Sequence, residues 1–568
     1  MSDLLNQASL VMVPSGYKED TVYSVVPSDG SGDLSFTRAS NGTRINSAGL
    51  VEDCPWNMLL QSETFDNAVW GADAGNSKTA NTTTAPNGTV TADTITASPT
   101  NVMNVYQIIT TNDGVFSYTV YLKKDATNLI ETYIYQTFGV AGFKAKGEIN
   151  FDNGTFTASL GTGTIESVGN GWFRVNLSAT LLSGANSFGI FTTSSTGTRS
   201  VFVYGAQLNI GSTAKPYFPT TDRLNVPRLT YQNGGGGCPS LLLEKQSTNL
   251  FTYSEQFDNA AWTKSSGSVT ANQAISPDGT QNADLLVGEM YQQPTFANAT
   301  TYSFSVFAKK ESGTTIYLGY IDNVTGFVGG SITYIYSTGV VAVQQSANGS
   351  VSGQAIDMGN GYIRVIIKYT TIASVTFNYQ YIGSAGSYVW GAQTEVSSYP
   401  TSYIPTTSAS ATRVADACFK TGISSLIGQT SGVLFVDFIA KGSYDSNNLL
   451  MLISTGSGGD LVYLNLVSGT IEAYIAASSS QQFLYTSGTV LTANTRHKLA
   501  LGYANNDIVL YHNGTQLATD TSASIPACTL LRVGDFLGGT FQFGNTINQS
   551  ILFPTRLTNA ELASLTTL

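Results

Sequence analysis

Charge is what this chain has least of. Only 11% of its 568 residues are Asp, Glu, Lys or Arg, against roughly 25% in an average soluble protein. The polar surface is therefore built from Ser, Thr, Asn, Gln and Gly. That profile suits β-rich proteins working outside cells better than a metabolic enzyme. The little charge present is lopsided, with a formal net charge of −11. An acidic chain is repelled by phosphate backbones, which argues against nucleic-acid binding. Histidine is nearly absent, with His497 and His512 the only two. That leaves little for His-based catalysis or a multi-histidine metal site. His512 precedes an Asn-Gly turn and is expected exposed at a strand end, and His497 is expected to begin a strand. Four cysteines occur, Cys54, Cys238, Cys418 and Cys528. None has the close spacing of a metal or redox pair, and a disulfide is not required. Apolar runs are short of the roughly 18 residues that a membrane span needs, so no membrane insertion is expected. The opening Met1 to Pro14 lacks a basic region and a long apolar core, so it does not read as a secretory signal. The expectation is a soluble chain made in a cytoplasm.

Turn signals are plentiful. Asn-Gly or Asp-Gly stands at Asn41, Asn87, Asn153, Asn170, Asp278, Asn348, Asn360 and Asn513, and these pairs accept the positive φ angles of tight hairpins. Between them lie alternating stretches. Tyr118, Val120 and Leu122 share one face, as do Phe304, Val306 and Ala308. Period-two patterning between turns predicts antiparallel strands. Long amphipathic helical patterns are nearly absent. The expected fold is all-β, with tandem antiparallel β-sandwiches of jelly-roll type and an extended N-terminal segment. Near the end, Thr558 and Glu561 make a capping-box pattern that predicts a short helix.

The chain repeats itself. Asn57 to Trp70 returns as Asn249 to Trp262, an offset of 249 − 57 = 192 residues, with Ser-Glu-x-Phe-Asp-Asn-Ala-x-Trp in both. Later landmarks agree: Pro86 with Pro277, Gly169 to Val175 with Gly359 to Val365, Val203 to Gln207 with Val389 to Gln393, and a closing Pro-Thr-Thr at Pro219 and Pro405. The segments between also rhyme. Phe36-Thr-Arg-Ala precedes the first repeat, Asp222-Arg-Leu through Gly234 to Gly237 precedes the second, and Ala411-Thr-Arg-Val follows it. The four-glycine run is flexible by composition. The expected layout is an N-terminal docking or extended segment at 1–56, sandwich repeats at 57–222 and 249–407, linkers at 223–248 and 408–427, and a different domain at 428–568.

Several residues carry candidate chemistry. Arg174 and Arg364 sit at equivalent places inside apolar strands and need partners. An ion pair with Asp93 or Asp284 is one reading, ligand contact the other. Sugar binding needs aromatic faces and hydrogen-bonding amides or carboxylates. Trp70 and Trp262, and Trp172 and Tyr362, recur at fixed repeat positions as core residues or carbohydrate platforms. Loop carboxylates Asp66, Asp258, Asp507 and Asp535 are candidate calcium ligands, although no twelve-residue calcium loop is visible. The first two are explained equally by loop capping. Lys123-Lys124 and Lys309-Lys310 read as solvated strand ends. Glycosidases need two carboxylates flanking the scissile bond. Glu472 stands alone, and no convincing nucleophile elbow or phosphate loop appears. The chain is expected not to be an enzyme.

Phe36-Thr-Arg-Ala-Ser, Ser47-Ala-Gly-Leu-Val51, Leu241-Leu-Leu-Glu244, Ser254-Glu-x-Phe through Trp262, Tyr403-Ile-Pro-Thr-Thr407 and Ala411-Thr-Arg-Val414 resemble tailed-bacteriophage virion proteins. In these, carbohydrate-binding-module-like sandwiches precede a concanavalin A-like (laminin G-like) domain. The final Asn-Gly hairpin and Leu557-Thr-Asn-Ala-Glu-Leu562 resemble that last domain. The resemblance implies a structural protein on the particle, as a tail or head fibre or appendage, assembled in the host cytoplasm. Its implied partners are other virion proteins, host-surface glycans and further copies of itself, with a trimer expected on symmetry grounds. A capsid-decorating protein without sugar binding and a polysaccharide depolymerase are the alternatives.

Overall fold

The structure is a computed structural model describing residues 2–111, 113–137, 141–192, 197, 199–323, 328–346, 351–373, 379–440, 447–537, 540 and 542–568. The turn expected at Asn348-Gly349 lies outside the described residues. Two units form, one of Pro55–Arg223 with Gly279–Asn282, the other of Met1–Cys54, Leu224–Asp278 and Ala283–Leu568. Both are built of antiparallel sheets, as the period-two patterning predicts. Several of the expected tight turns form, but at Asn41-Gly42 neither residue takes positive φ and Gly42 begins the strand Gly42–Ile45. Asn170 and Gly171, Asn360 and Gly361, and Asn513 and Gly514 all take positive φ, the pairing that matches hairpin twist.

The first unit is a sandwich of two six-stranded sheets. One face of each strand fills the space between them: Val105, Ile134, Phe188 and Ile190 from one sheet, Tyr118, Val120, Val175 and Val203 from the other. The outward faces of the first of these sheets hold Tyr106, Tyr133 and Phe191.

The second unit contains the second repeat and the C-terminal domain. The second repeat is one nine-stranded sheet, because the 17-residue strand Tyr379–Glu395 is long enough to pair on both layers. It runs beside Thr315–Asn323 through Ile316↔Ser384 and beside Thr301–Lys310 through Phe304↔Thr394. Its core is led by Phe257, Trp262, Phe304, Leu318 and Ile382.

The C-terminal domain is a sandwich of an eight-stranded and a nine-stranded sheet. Distant parts of the chain complete it. Leu10–Met12 pairs with Asn545–Phe553 through Leu10↔Leu552, and Leu34–Thr37 pairs with Ala417–Thr421 through Phe36↔Cys418. From the stretch between the repeats, Ser240–Leu243 pairs with the same final strand through Leu241↔Ile547. Leu34, Phe36, Leu241 and Leu243 enter one core with Leu434, Ile453, Leu501 and Leu552. The segment expected to be extended thus contributes short paired strands between Leu10 and Cys54. The four-glycine run is folded too: Gly236 N donates to Ser47 O at 3.0 Å, and a Cβ on Gly235 would meet that oxygen at 2.6 Å. The helix Asn559–Thr566 carries the expected capping box between Thr558 and Glu561. A one-turn helix, Ser2–Leu5, was not signalled by the sequence.

Two of the rhyming arginines, Arg38 and Arg413, converge with Arg228, whereas Arg223 donates to Asn57 O and Pro55 O. Arg38, Arg228 and Arg413 are each at most 1% exposed and gather around Glu244 and Asp416, exposed by 1% and 2%. Arg38 Nη1 reaches Asp416 Oδ1 at 2.9 Å, and Arg228 Nη1 reaches Glu244 Oε2 at 2.8 Å. Arg228 Nη2 also pairs with Asp416, and Arg413 Nη1 stands 3.4 Å from Glu244 Oε2. Taking five charges out of water is costly unless each is paired. Arg38, Arg228 and Arg413 therefore tie the N-terminal segment and both linkers to one buried point. The four cysteines are free thiols, with Cys238 exposed and the others buried.

Candidate functional site

Residues of one parity on a strand face the core, so those of the other parity face outward. In the second repeat the outward set of one sheet layer is unusually aromatic. Tyr291 lies on Ala283–Gln292, Tyr379 and Tyr381 on Tyr379–Glu395, and Tyr317 on Thr315–Asn323. Cross-strand register makes them neighbours: Tyr291↔Tyr381, and Tyr317 and Glu289 both opposite Gly383. Ring centroids are 4.7 Å apart for Tyr291 and Tyr379, and 6.1 Å for both Tyr379 with Tyr381 and Tyr317 with Tyr381.

Glycines let two of these rings lie down. A Cβ on Gly319 would come within 2.1 Å of Tyr381 Cζ, and one on Gly383 within 1.9 Å of Tyr317 Cζ. Each ring therefore rests across the bare backbone of the neighbouring strand, and the two contacts are reciprocal. All four tyrosines remain half-buried, not covered. Tyr317 Oη donates to Glu289 Oε2 at 3.3 Å. Burial, then the Glu289 carboxylate, pushes the Tyr317 hydroxyl up to about 12. Tyr317 is thus a neutral donor at ordinary pH. Chemically, the face offers π surface for an apolar ligand face, with a carboxylate and phenol hydroxyls beside it.

The first repeat carries a variant of this face. Tyr106 lies against Gly71 and Gly189, Tyr133 also lies over Gly189, and Phe143 stacks on Phe191 with centroids 5.8 Å apart. Here the aromatic surface has a cover of its own. Lys146 Nζ sits 4.7 Å from the Phe191 centroid and pairs with Glu131 at 2.9 Å. A third aromatic group lies on the C-terminal domain, where Tyr463 and Tyr474 stack at 5.2 Å. Glu472 is there, accepting from Tyr463 Oη at 2.9 Å and Asn465 Nδ2 at 3.2 Å.

The aromatic residues singled out by recurrence are elsewhere. Trp70, Trp262, Trp172 and Tyr362 are at most 2% exposed. Trp70 stacks on Phe65 at 4.4 Å and donates from Nε1 to Gln61 O at 2.9 Å, and Trp262 packs on Phe257 at 5.0 Å and donates to Tyr253 O at 3.0 Å. Trp172 donates to Thr84 O, with Lys123 above its ring, and Lys309 stands likewise over Tyr362. Their ring faces are covered by protein, so as placed they are core residues and offer no sugar platform. The tyrosine face carries only part of a repeat signature: Tyr291 matches Tyr106, each followed by a Gln that bonds the backbone of Thr252 or Leu60, whereas Tyr381 stands where the first copy has Gly189. The available signal was the alternation Tyr379-x-Tyr381-x-Gly383 beside Tyr317-x-Gly319.

Three further expectations are corrected. Arg174 and Arg364 do not pair with Asp93 or Asp284. Those carboxylates accept backbone N–H groups instead, Asp93 from Phe65 and Asn81, Asp284 from Phe257 and Asn272. They hold the loop before Trp70 and Trp262, the tryptophans that recur in the two repeats. Arg174 donates to Lys215 O at 2.6 Å and Arg364 to Thr401 O at 2.7 Å. His512 is half-buried, not exposed, its Nε2 3.0 Å from His497 Nδ1. Burial, then the neighbouring His497, lowers His512 to about 4. The candidate calcium ligands do not converge. Asp507 pairs with Arg556 at 3.0 Å and Asp535 with Arg532, while Asp66 and Asp258 are exposed loop residues. Among the described residues no group of three or more His, Cys, Asp or Glu could hold a metal.

No family model matches the chain, and no curated protein matches it. Partial likenesses to solved structures exist. The CBM40 module of the Ruminococcus gnavus IT-sialidase is 17% identical, with 26% of this chain and 91% of that one covered and a TM-score of 0.23. Domain 4 of AbnA, a GH43 extracellular arabinanase from Geobacillus stearothermophilus solved with arabinotriose, is 13% identical over 30% of this chain and 82% of that one, with a TM-score of 0.23. Mouse laminin α1 domains LG4-5 are 11% identical over 48% of this chain and 89% of that one, with a TM-score of 0.19. At these scores the likenesses identify no common activity.

Proposed function

We propose that this chain is a structural protein of a tailed-bacteriophage particle, displayed as a tail or head fibre or appendage. In this reading it holds host-surface glycans through its β-sandwich modules and breaks no bonds. The observation that carries the glycan reading is the reciprocal seating of Tyr317 over Gly383 and Tyr381 over Gly319. Two rings laid along the sheet, with Tyr291 and Tyr379 beside them, offer flat faces to a pyranose. The apolar face of the sugar stacks on the rings. Glu289 and the phenol hydroxyls take its hydroxyl groups, the small number of placed polar contacts that orient a ligand. Each site of this kind is weak, and many copies on one particle turn weak contacts into firm attachment. A symmetric trimer is the assembly proposed for a fibre. The quoted phage-like motifs support the particle setting. Glu472 engaging Tyr463 and Asn465 fits a binding group better than half of a hydrolytic pair.

The test combines a glycan array with particle biochemistry. The full chain is expected to bind a host-surface saccharide, with binding lost in Tyr381→Ala. Mass spectrometry of purified particles is expected to find the chain. Its absence from the particle would remove the setting. Silence on the array, with fragile particles on deletion, would replace attachment by capsid decoration. Reducing ends released from host capsule would overturn the non-enzymatic reading.

A further inference from the structure

We infer that the tyrosine face of the second repeat binds a ligand carrying an organic ammonium group, with Glu289 as its counter-charge. This rests on the reading of that face as a ligand platform and narrows what it takes. The first observation is charge. The face belongs to a layer of six strands, Thr263–Ala274, Ala283–Gln292, Tyr379–Glu395, Thr315–Asn323, Val328–Ile335 and Val340–Ser346. Between them these strands hold one basic residue, Lys264. Its ammonium is used elsewhere, donating to Asp258 O and Asn259 O at 2.9 and 2.7 Å. Glu289 is half-buried and accepts from two neutral donors, Ser265 Oγ at 2.8 Å and Tyr317 Oη at 3.3 Å. Its own sheet layer thus brings this carboxylate no cation.

The rings add to the same attraction. Burial, then the Glu289 charge, raises the hydroxyls of Tyr317 and Tyr379, and Glu289 acts on Tyr381 as well. The carboxylate therefore lies among the tyrosines of the face. A cation is drawn both to the carboxylate and to the negative faces of the rings. The first repeat shows this chemistry satisfied from within. There Lys146 Nζ lies 4.7 Å from the Phe191 centroid, 5.6 Å from that of Phe143 and 2.9 Å from Glu131 Oε1. Strand register gives the matching position in the second copy. Lys146 stands opposite Tyr133, which stands opposite Gly189. Ser331 stands opposite Gly319, which stands opposite Tyr381. Tyr381 holds the place of Gly189, so Ser331 holds the place of Lys146. The second copy has rings and a carboxylate, with a serine where the first has its lysine. A ligand ammonium supplies the missing charge. An acidic ligand would meet Glu289 with like charge. The fitting ligands are an amino sugar with a free amine or a choline-type quaternary ammonium.

Calorimetric titration of the full chain compares the glucosamine trisaccharide with its N-acetylated counterpart, with choline and with glucuronate. The amino trisaccharide is expected to bind about threefold to tenfold more tightly than the acetylated one, the preference shrinking as salt is raised. Amino trisaccharide binding more tightly than choline marks a saccharide site, and choline binding as tightly marks a site for small quaternary ammonium groups. Glu289→Gln keeps the shape and is expected to erase the preference. Ser331→Lys, which supplies the first repeat's lysine, is expected to erase it too. Both positions are half-buried, and a thermal melt of each variant shows that it folds. Equal binding of the two trisaccharides, a preference that survives in Glu289→Gln, or no heat from any ammonium ligand would overturn the inference. The glycan reading fails separately, when the whole array is silent or when Tyr381→Ala binds every saccharide as the parent does.

Discussion

Tyr381 lies across Gly319 of the neighbouring strand, so close that a methyl group there would sit 2.1 Å from the ring's Cζ. The glycine is therefore part of the aromatic surface. Tyr317 and Gly383 repeat the relationship with the roles of the strands exchanged. A ring that lies down presents its face outward, while one that stands up presents an edge. Sheet position alone would leave these side chains roughly perpendicular to the sheet.

Gly319→Ala should lift Tyr381 and weaken saccharide binding by about twofold to tenfold, the range expected from one aromatic contact of about 0.5–1.5 kcal/mol. The strand pairing itself has room for alanine once the ring moves. Binding titrations beside a thermal melt check this. A loss of binding matched by an equal loss of folding would show that the ring's seat is structural.

The buried tryptophans should behave in the opposite way. Trp262→Ala empties a core position shared with Phe251 and Phe257, which should cost about 3–5 kcal/mol. Tyr381→Ala, at a half-buried site, should leave the melting transition nearly unchanged while abolishing binding. Urea denaturation of the two variants separates the roles.

Asp416 joins Arg38 and Arg228 at one buried point. Asp416→Ala would leave those guanidiniums short of a counter-charge, at a cost of about 3–5 kcal/mol. The strands Leu34–Thr37 and Ala417–Thr421, paired beside it, should be the first to exchange. Hydrogen exchange resolved by peptide tests this. Protection in those strands equal to the parent protein would show the cluster to be dispensable.

Acid should weaken the C-terminal domain through His512. Its folded value is lowered to about 4 from an ordinary 6.5, by burial and then by His497. The unfolded chain thus binds the proton more readily than the folded one. The stability contributed by neutral His512 is complete above about pH 6.5 and is lost as pH falls towards 4. His512→Gln should flatten the melting temperature over that interval. Parallel pH profiles for the two proteins would assign the acid response elsewhere.

Much of this architecture was legible in local sequence. Tight turns at Asn170, Asn360 and Asn513 follow from what Asn-Gly can adopt. The capping box at Thr558 follows from two side chains reaching backbone three residues apart. Alternation in Tyr118-x-Val120-x-Leu122 follows from the two-residue period of a strand. Recurrence showed that Trp70 and Trp262, or Arg38 and Arg413, hold equivalent places, but not what they touch. A repeated aromatic is compatible with core and with surface, and it was burial that placed all four on the inside.

Tertiary structure decided the rest because the partners are remote in sequence. Tyr317 acquires its flat seat from Gly383 on another strand, a pairing set by register. Arg38, Arg228 and Arg413 meet only because the N-terminal segment and both linkers are drawn to Glu244 and Asp416. Leu10 and Leu34 belong to a sandwich whose other strands lie hundreds of residues away. Local chemistry chose strand, turn and cap, since these depend on neighbours along the chain. Which outward faces became aromatic, and which carboxylates each buried arginine met, depended on neighbours through space.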